Sequence, residues 1–230
     1  PAVGAKYFAK NNIKVLSEIG AGVIGRACVA ALMAVLKQVE EIRIYDINQE
    51  AAQKYCQELS ETYGVRVVAV ESVEAAVRGA DVINVATAGA VSPEIHDEWL
   101  KEGVLLTLPA SAALSLDTMK SSRIVVDNWK MYEAYAQELR GLPGGYAANL
   151  SGICGYLMDL VESGEIPQKD IVNLGDVIAG KQECRRNDRE RVIFIMDGMP
   201  IEDLAWGYTV YENAKKMGLG TKLNLWEKTR

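Results

Sequence analysis

From Lys14 onward, short runs of branched aliphatic residues alternate with stretches whose apolar positions recur every three or four residues. The first kind of run suits a strand covered on both faces, the second a helix with one apolar side. Strands are predicted at residues 15–19, 42–45, 65–70, 82–86, 104–108, 124–126 and 192–196, each closed by a turn or cap signal. Helices are predicted at residues 25–38, 49–63, 73–78 and 94–101, and then at 129–139, 151–162, 171–179 and 201–216. In the helix at 49–63, Ala51, Ala52, Tyr55 and Leu59 share one face. Strand and helix alternating in this way imply strand-helix-strand units and a mostly parallel sheet. After Asn128 helices predominate, and Leu142-Pro143-Gly144-Gly145 is the clearest break in the chain. The expected division is a core over residues 1–145 and a helical return segment over 146–230 that packs back on it. The last helix has Glu202 and Asp203 in its first turn and Gly218 and Gly220 after its end, as the helix dipole and a left-handed stop favour.

Composition narrows the class. The 230 residues are 49% hydrophobic and 24% charged, and mean hydropathy is zero, which is enough apolar material for a sizeable core and unlike a disordered chain. A net charge of −6 argues against general affinity for nucleic acid or anionic membranes. No apolar run approaches the roughly 20 residues that span a bilayer. Cys28, Cys56, Cys154 and Cys184 are far apart with no Cys-x-x-Cys pair, so reduced thiols and a cytoplasmic location are expected. A single histidine, His96, excludes a multi-His zinc site; it lies in a polar segment where a solvated residue is the plainer reading than a catalytic base. No metal is expected.

Chemistry concentrates in Gly20-Ala21-Gly22-Val23-Ile24-Gly25, which follows a predicted strand and opens a predicted helix. Gly-x-Gly-x-x-Gly in that setting, with an acidic residue closing the next strand, is a dinucleotide fingerprint, and Asp46 supplies the acid with Ile47 beside it. Gly20 would allow the tight turn, Gly22 the close approach of a pyrophosphate, and Gly25 close packing of helix on strand. The pyrophosphate would sit at the positive helix end, and Asp46 would hold ribose hydroxyls, which favours NAD over NADP. The alternative is a glycine-rich turn without a ligand. Ala86-Thr87-Ala88-Gly89-Ala90 and Leu108-Pro109-Ala110-Ser111 close the fourth and fifth strands with small residues, where ligands gather in open α/β sheets; Ala86, Thr87, Ala88, Pro109 and Ser111 complete the candidate cofactor site. The expected fold is therefore α/β, a Rossmann-type doubly wound sheet with a C-terminal helical extension. Ser17-Glu18 is out of place in a buried first strand, so Glu18 must find a donor or carry a proton. Cys28 reads as core, the charged run at 181–191 with Arg185 and Arg186 as solvated or phosphate-facing, and Trp129, Tyr132 and Tyr135 as a packing stripe.

With the fingerprint placed, the rest of the chain resembles the ornithine cyclodeaminase and μ-crystallin family. The resemblance is carried by Ala5-Lys6-Tyr7-Phe8-Ala9, Ala76-Val77-Arg78-Gly79-Ala80-Asp81-Val82-Ile83, Leu174-Gly175-Asp176 with Gly180-Lys181, Arg185 with Glu190, and Gly198-Met199-Pro200-Ile201-Glu202-Asp203. Asp127-Asn128-Trp129-Lys130-Met131-Tyr132 and the ending at 218–226 are similar to the tyramine oxidase branch of that family. The resemblance implies an NAD-binding, homo-oligomeric oxidoreductase that moves a hydride at the α-carbon of a small amino acid or its imine. A non-enzymatic NAD-binding module or accessory subunit is the alternative. It also implies a substrate domain ahead of the fingerprint, and only 19 residues precede Gly20, so the groups that hold the substrate are expected to be missing and the catalytic residues stay unassigned. Ornithine cyclodeaminases carry an Asp after the fifth strand, where this chain reads Pro109-Ala110-Ser111-Ala112-Ala113, so ornithine cyclisation by that route is not expected. Asp197 is either a group facing the nicotinamide or a surface carboxylate, and Asp203 reads as a helix-start charge.

Overall fold

The computed structural model describes residues 1–89, 91–150 and 152–223. Chain contacts divide it into a compact unit, Pro1–Asp197, and a second unit that begins at Gly198.

The first unit opens with helix α1 (Ala2–Phe8), strand β1 (Val15–Ile19), α2 (Val23–Val35), β2 (Glu41–Tyr45), α3 (Gln49–Tyr63), β3 (Arg66–Ala69), α4 (Val73–Val77) and β4 (Val82–Val85). It continues through β5 (Leu105–Leu108), α5 (Leu116–Ser121), β6 (Arg123–Val126), α6 (Trp129–Leu139), α7 (Gly145–Asn149), α8 (Ile153–Glu162), β7 (Val172–Asn173), α9 (Leu174–Ile178) and β8 (Val192–Ile195). Local chemistry starts several of these helices: Asn48, Ser72 and Ser115 each accept a hydrogen bond from a backbone N–H in the first turn of α3, α4 and α5. Gly64, at φ 65°, stops α3 in the left-handed region.

The eight strands form one parallel sheet in the order β3-β2-β1-β4-β5-β8-β6-β7. This is the Rossmann-type α/β fold. Two of the strands, β7 and β8, come from beyond residue 145. Strand alternation divides the core in two. Leu16, Ile42, Ile44, Val82, Leu105 and Phe194 pack with α1, α2 and α3 on one face. Ile19, Ile83, Val85, Leu106, Leu108 and Ile193 pack with Tyr132 of α6 and with α8 on the other. Gly4 lets α1 lie directly on Phe194, since a Cβ there would stand 2.4 Å from the ring.

Two predicted helices are corrected. Residues 94–101 contain only a single 3-10 turn at Asp97–Trp99, because the preceding backbone is extended: Glu94 bridges Ala113 and Ile95 N–H donates to the Ala113 carbonyl at 3.0 Å. Residues 171–179 begin as strand β7, paired with β6, before turning into α9. The start of the predicted helix at 151, Ala90 of the fourth-strand loop and the end of the 218–226 segment lie outside the described residues.

The second unit contains α10 (Pro200–Met217), with Pro200 in its first turn, Glu202 and Asp203 near its start, Lys215 and Lys216 near its end, and Gly218 at φ 66° as its stop.

Candidate functional site

The strand order reverses between β1 and β4, so the loops leaving their carboxyl ends part and open a crevice. The fingerprint is the loop leaving β1. Gly20 sits at φ +116°, and a Cβ on it would stand 2.6 Å from the Ala86 carbonyl oxygen, so only glycine lets the turn press against the end of β4. Gly25 is equally constrained, a Cβ there falling 2.0 Å from the Gly20 carbonyl oxygen. Gly22 is the opposite case. It is exposed, and nothing lies within 4 Å of where its Cβ would be, so the backbone is open to approach from solvent. Gly22 also starts α2 with no side-chain cap, which leaves donors of the first turn facing the crevice.

Asp46, half-buried past the end of β2, ties this loop down. One carboxylate oxygen accepts from Ala21 N–H at 2.7 Å and the other from Asn48 N–H at 2.8 Å. Each oxygen retains a lone pair for a further donor. Ile47, Val23 and Ile24 are large apolar residues left exposed around the loop. Arg26, one turn into α2, donates to the Ala21 carbonyl at 3.1 Å, pairs with Glu58 and lies over the Tyr55 ring.

Ala86 is buried against Gly20, and its N–H donates to the Ile19 carbonyl at 2.8 Å. Thr87 and Ala88 of the same loop line a pocket of about 590 Å³, together with Ser111 of the loop after β5. Pro109 is half-buried at the end of β5 and is not among the pocket's lining residues. The far wall includes Ala147, Ala148 and Asn149 of α7, Leu150, and Gly152 at the start of α8, residues the sequence did not single out as a site. Asp159 holds that wall in place by accepting from the N–H groups of Tyr146 and Ala147 at 2.7 and 3.0 Å, and Gly155 lets α8 approach, as its Cβ would meet the Tyr146 carbonyl at 2.6 Å. The signal available in the sequence was the clustering of Gly144, Gly145, Gly152 and Gly155.

A profile of the ornithine cyclodeaminase/mu-crystallin family matches residues 1–218. The chain belongs to that family. It is 30% identical to an alanine dehydrogenase of Archaeoglobus fulgidus over 96% of this chain and 63% of that protein. Among solved structures, a Δ1-pyrroline-2-carboxylate reductase of Thermococcus litoralis, in complex with NADH and L-proline, superposes with a TM-score of 0.76 at 28% identity, over 96% of this chain and 64% of that one. An archaeal alanine dehydrogenase dimer with bound NAD gives 0.76 at 27% identity, over 98% and 65%. The chain thus spans less than two thirds of the length of each of these relatives.

Other candidate residues fall away from the crevice or take structural roles. His96 is exposed, 3.7 Å from Glu94 and edge-on to Trp99. Arg185 is neither solvated nor phosphate-facing: it donates to the carbonyls of Phe8, Glu190 and Gly103, fastening α1 to the start of β5. Asp197 is exposed past β8, its N–H donating to Asp127 at 3.0 Å and its carboxylate hydrogen-bonded to Tyr135, whose hydroxyl pKa it raises. Cys28 is a buried core thiol, as expected, and Cys56 and Cys154 are buried as well; burial pushes Cys154 up to about 12 and Cys56 up to about 11, which keeps both thiols protonated. Tyr132 is fully buried and stacks on Trp129 at 5.3 Å.

Proposed function

We propose that this chain is the dinucleotide-binding part of an oxidoreductase that uses NAD to move a hydride at the α-carbon of an amino acid or its imine. The observation that carries the reading is the fingerprint loop at the strand-order reversal: Gly20 locked on β4, Gly22 open to solvent, and the first turn of α2 uncapped. That donor set suits a pyrophosphate. Asp46 offers its remaining lone pairs to vicinal ribose hydroxyls and would repel a 2′-phosphate, which favours NAD over NADP. The small residues of the Thr87–Ser111 pocket suit a flat ring. The similar structures that hold NADH or NAD support the same assignment.

NAD would supply the hydride chemistry, and the residues of this chain bind and orient it. The loop after β5 offers the hydroxyl of Ser111 and no acid, so the groups that exchange protons with the substrate amine lie elsewhere. The relatives are longer, and the amino-acid-holding groups belong in the length this chain does not span. A dimer, as in the archaeal alanine dehydrogenase structure, is the expected assembly.

Fluorescence titration with NADH and NADPH tests the assignment. Wild type should prefer NADH, and Asp46→Ala should weaken NADH about tenfold, the scale of one or two charge-assisted hydrogen bonds, with a smaller loss for NADPH. Asp46 also anchors Ala21, so the ratio of the two losses is the diagnostic quantity. Equal losses would overturn the ribose assignment.

A further inference from the structure

One row of the sheet, on the face covered by α1, α2 and α3, is polar where its neighbours are apolar. Glu18 of β1, Asn84 of β4 and Thr107 of β5 lie side by side in register, all with 0% exposure. They form a directed line: the Thr107 hydroxyl donates to the Asn84 side-chain carbonyl at 2.6 Å, and the Asn84 amide donates to Glu18 Oε2 at 2.8 Å. The other carboxyl oxygen, Glu18 Oε1, has no hydrogen-bond partner among the described residues. It is aimed at the fingerprint, since a Cβ on Gly25 would stand 2.7 Å from Oε1 and 2.0 Å from the Gly20 carbonyl oxygen.

We propose that Glu18 is a positioning residue for the dinucleotide, which as a neutral acid joins the seat of the fingerprint helix to the strands whose loops line the Thr87–Ser111 pocket. The inference rests on the cofactor reading above. A buried carboxylate with one donor is strongly disfavoured, whereas a carboxylic acid needs no counter-ion and can offer a proton to a carbonyl. Burial raises the Glu18 pKa well above the ordinary range, and the Asn84 hydrogen bond only partly opposes this. The ionisable groups packed on this face are Tyr7 of α1, Cys28 and Arg26 of α2, Tyr55, Cys56 and Tyr63 of α3, and Cys184; of these, Glu18 acts on Cys28 and Tyr55. Cys28 and Tyr55 are themselves pushed up, first by burial and then by a charge on Glu18. β2 presents the apolar Ile44 beside Glu18. A negative charge on Glu18 would lie one residue beneath the loop that must receive a pyrophosphate, so ionisation opposes cofactor binding twice, through desolvation and through repulsion.

Infrared spectroscopy at pH 7 and NADH titrations from pH 6 to 9, on wild type, Glu18→Gln and Glu18→Leu, test this. Wild type should show the carbonyl stretch of a protonated carboxylic acid that shifts on NADH addition and is missing in Glu18→Gln. At pH 6, Glu18→Leu should bind NADH about tenfold more weakly, while Glu18→Gln, which keeps both the acceptor and neutrality, restores most of the affinity. As pH rises, wild-type affinity should fall toward tenfold per unit once the acid form becomes a minority, and Glu18→Gln should stay flat. A wild-type profile that is flat while the acid band persists to pH 9 also supports a neutral Glu18. Absence of the acid band at pH 7, wild-type affinity in Glu18→Leu, or a wild-type pH fall retained in Glu18→Gln would overturn the proposal. Wild type failing to bind NADH even at pH 6 would remove the cofactor reading itself.

Discussion

The two ends of the sheet are built on opposite plans. At the amino ends of the strands, charged side chains lock backbone to backbone. Asp81, 4% exposed, accepts from the N–H groups of Lys14 and Val15 at 2.8 and 2.9 Å and pairs with Lys101 at 2.5 Å. Arg185 gathers three carbonyls, and Arg191 bonds to Asp97 and to the Leu100 carbonyl. At the carboxyl ends the loops are made of Gly20, Gly22, Ala86, Thr87, Ala88, Gly89, Ala110 and Ser111, with Asp46 as their chief anchor. Both ends hold open space, but the amino-end pocket of about 610 Å³ is lined by Lys101 and Asp81 and by Arg189 and Glu102, charged groups already paired with each other, while the other end leaves backbone donors uncapped. The contrast separates a stabilising end from a receiving end within a single sheet.

That contrast is most severely tested at Gly25, where the receiving end has no room. Gly25→Ala should push α2 off β1, costing about 2–3 kcal/mol by overpacking and abolishing measurable NADH binding, as read by thermal melting and titration. A normal melting temperature with normal binding would mean that helix and strand are not seated as described.

Asp81→Asn comes next, and should lower stability by about 2 kcal/mol at pH 7 while leaving NADH affinity unchanged, because its partners all lie at the opposite end. Its pH dependence has a defined sign. Burial alone would raise the Asp81 pKa, but the Lys101 ammonium and the two N–H donors outweigh it and hold the group below the ordinary Asp value. The stabilisation is therefore present at neutral pH and is lost as pH falls through the depressed value. Acid unfolding of wild type and Asp81→Asn should converge at low pH.

The smallest expected effect on stability is at Gly22. Gly22→Ala has open space for its methyl group and should change the melting temperature little, yet weaken NADH severalfold by intruding where a pyrophosphate approaches. A large loss of stability there would blur the distinction between the two ends.

Much of the receiving end could be read from the sequence because its chemistry is local. Gly20, Gly22 and Gly25 have fixed spacing, Asp46 closes the next strand, and Glu18 stood out as a carboxyl among aliphatic residues and turned out both bonded to a donor and shifted toward its protonated form. Helices α3 and α6 have the bounds their periodicity predicts. What failed to show was tertiary. β7 is two residues long and exists because β6 offers an edge; the segment at 94–96 is extended because Ala113 pairs with it. Arg185 looked like part of a solvated charge run because its carbonyl partners, Phe8 and Gly103, are distant in sequence. The α7 wall of the pocket depends on Asp159 reaching back from α8, a contact that no periodicity encodes.

Amide hydrogen exchange of the chain with and without NADH tests the separation of the two ends most directly. Protection should appear at Gly20–Arg26, at Asp46–Asn48 and at Thr87–Gly89, with no change at Lys14, Val15, Asp81 or the stretch around Arg185. Protection confined to the amino-end residues, or none at the fingerprint while NADH is bound, would contradict the account.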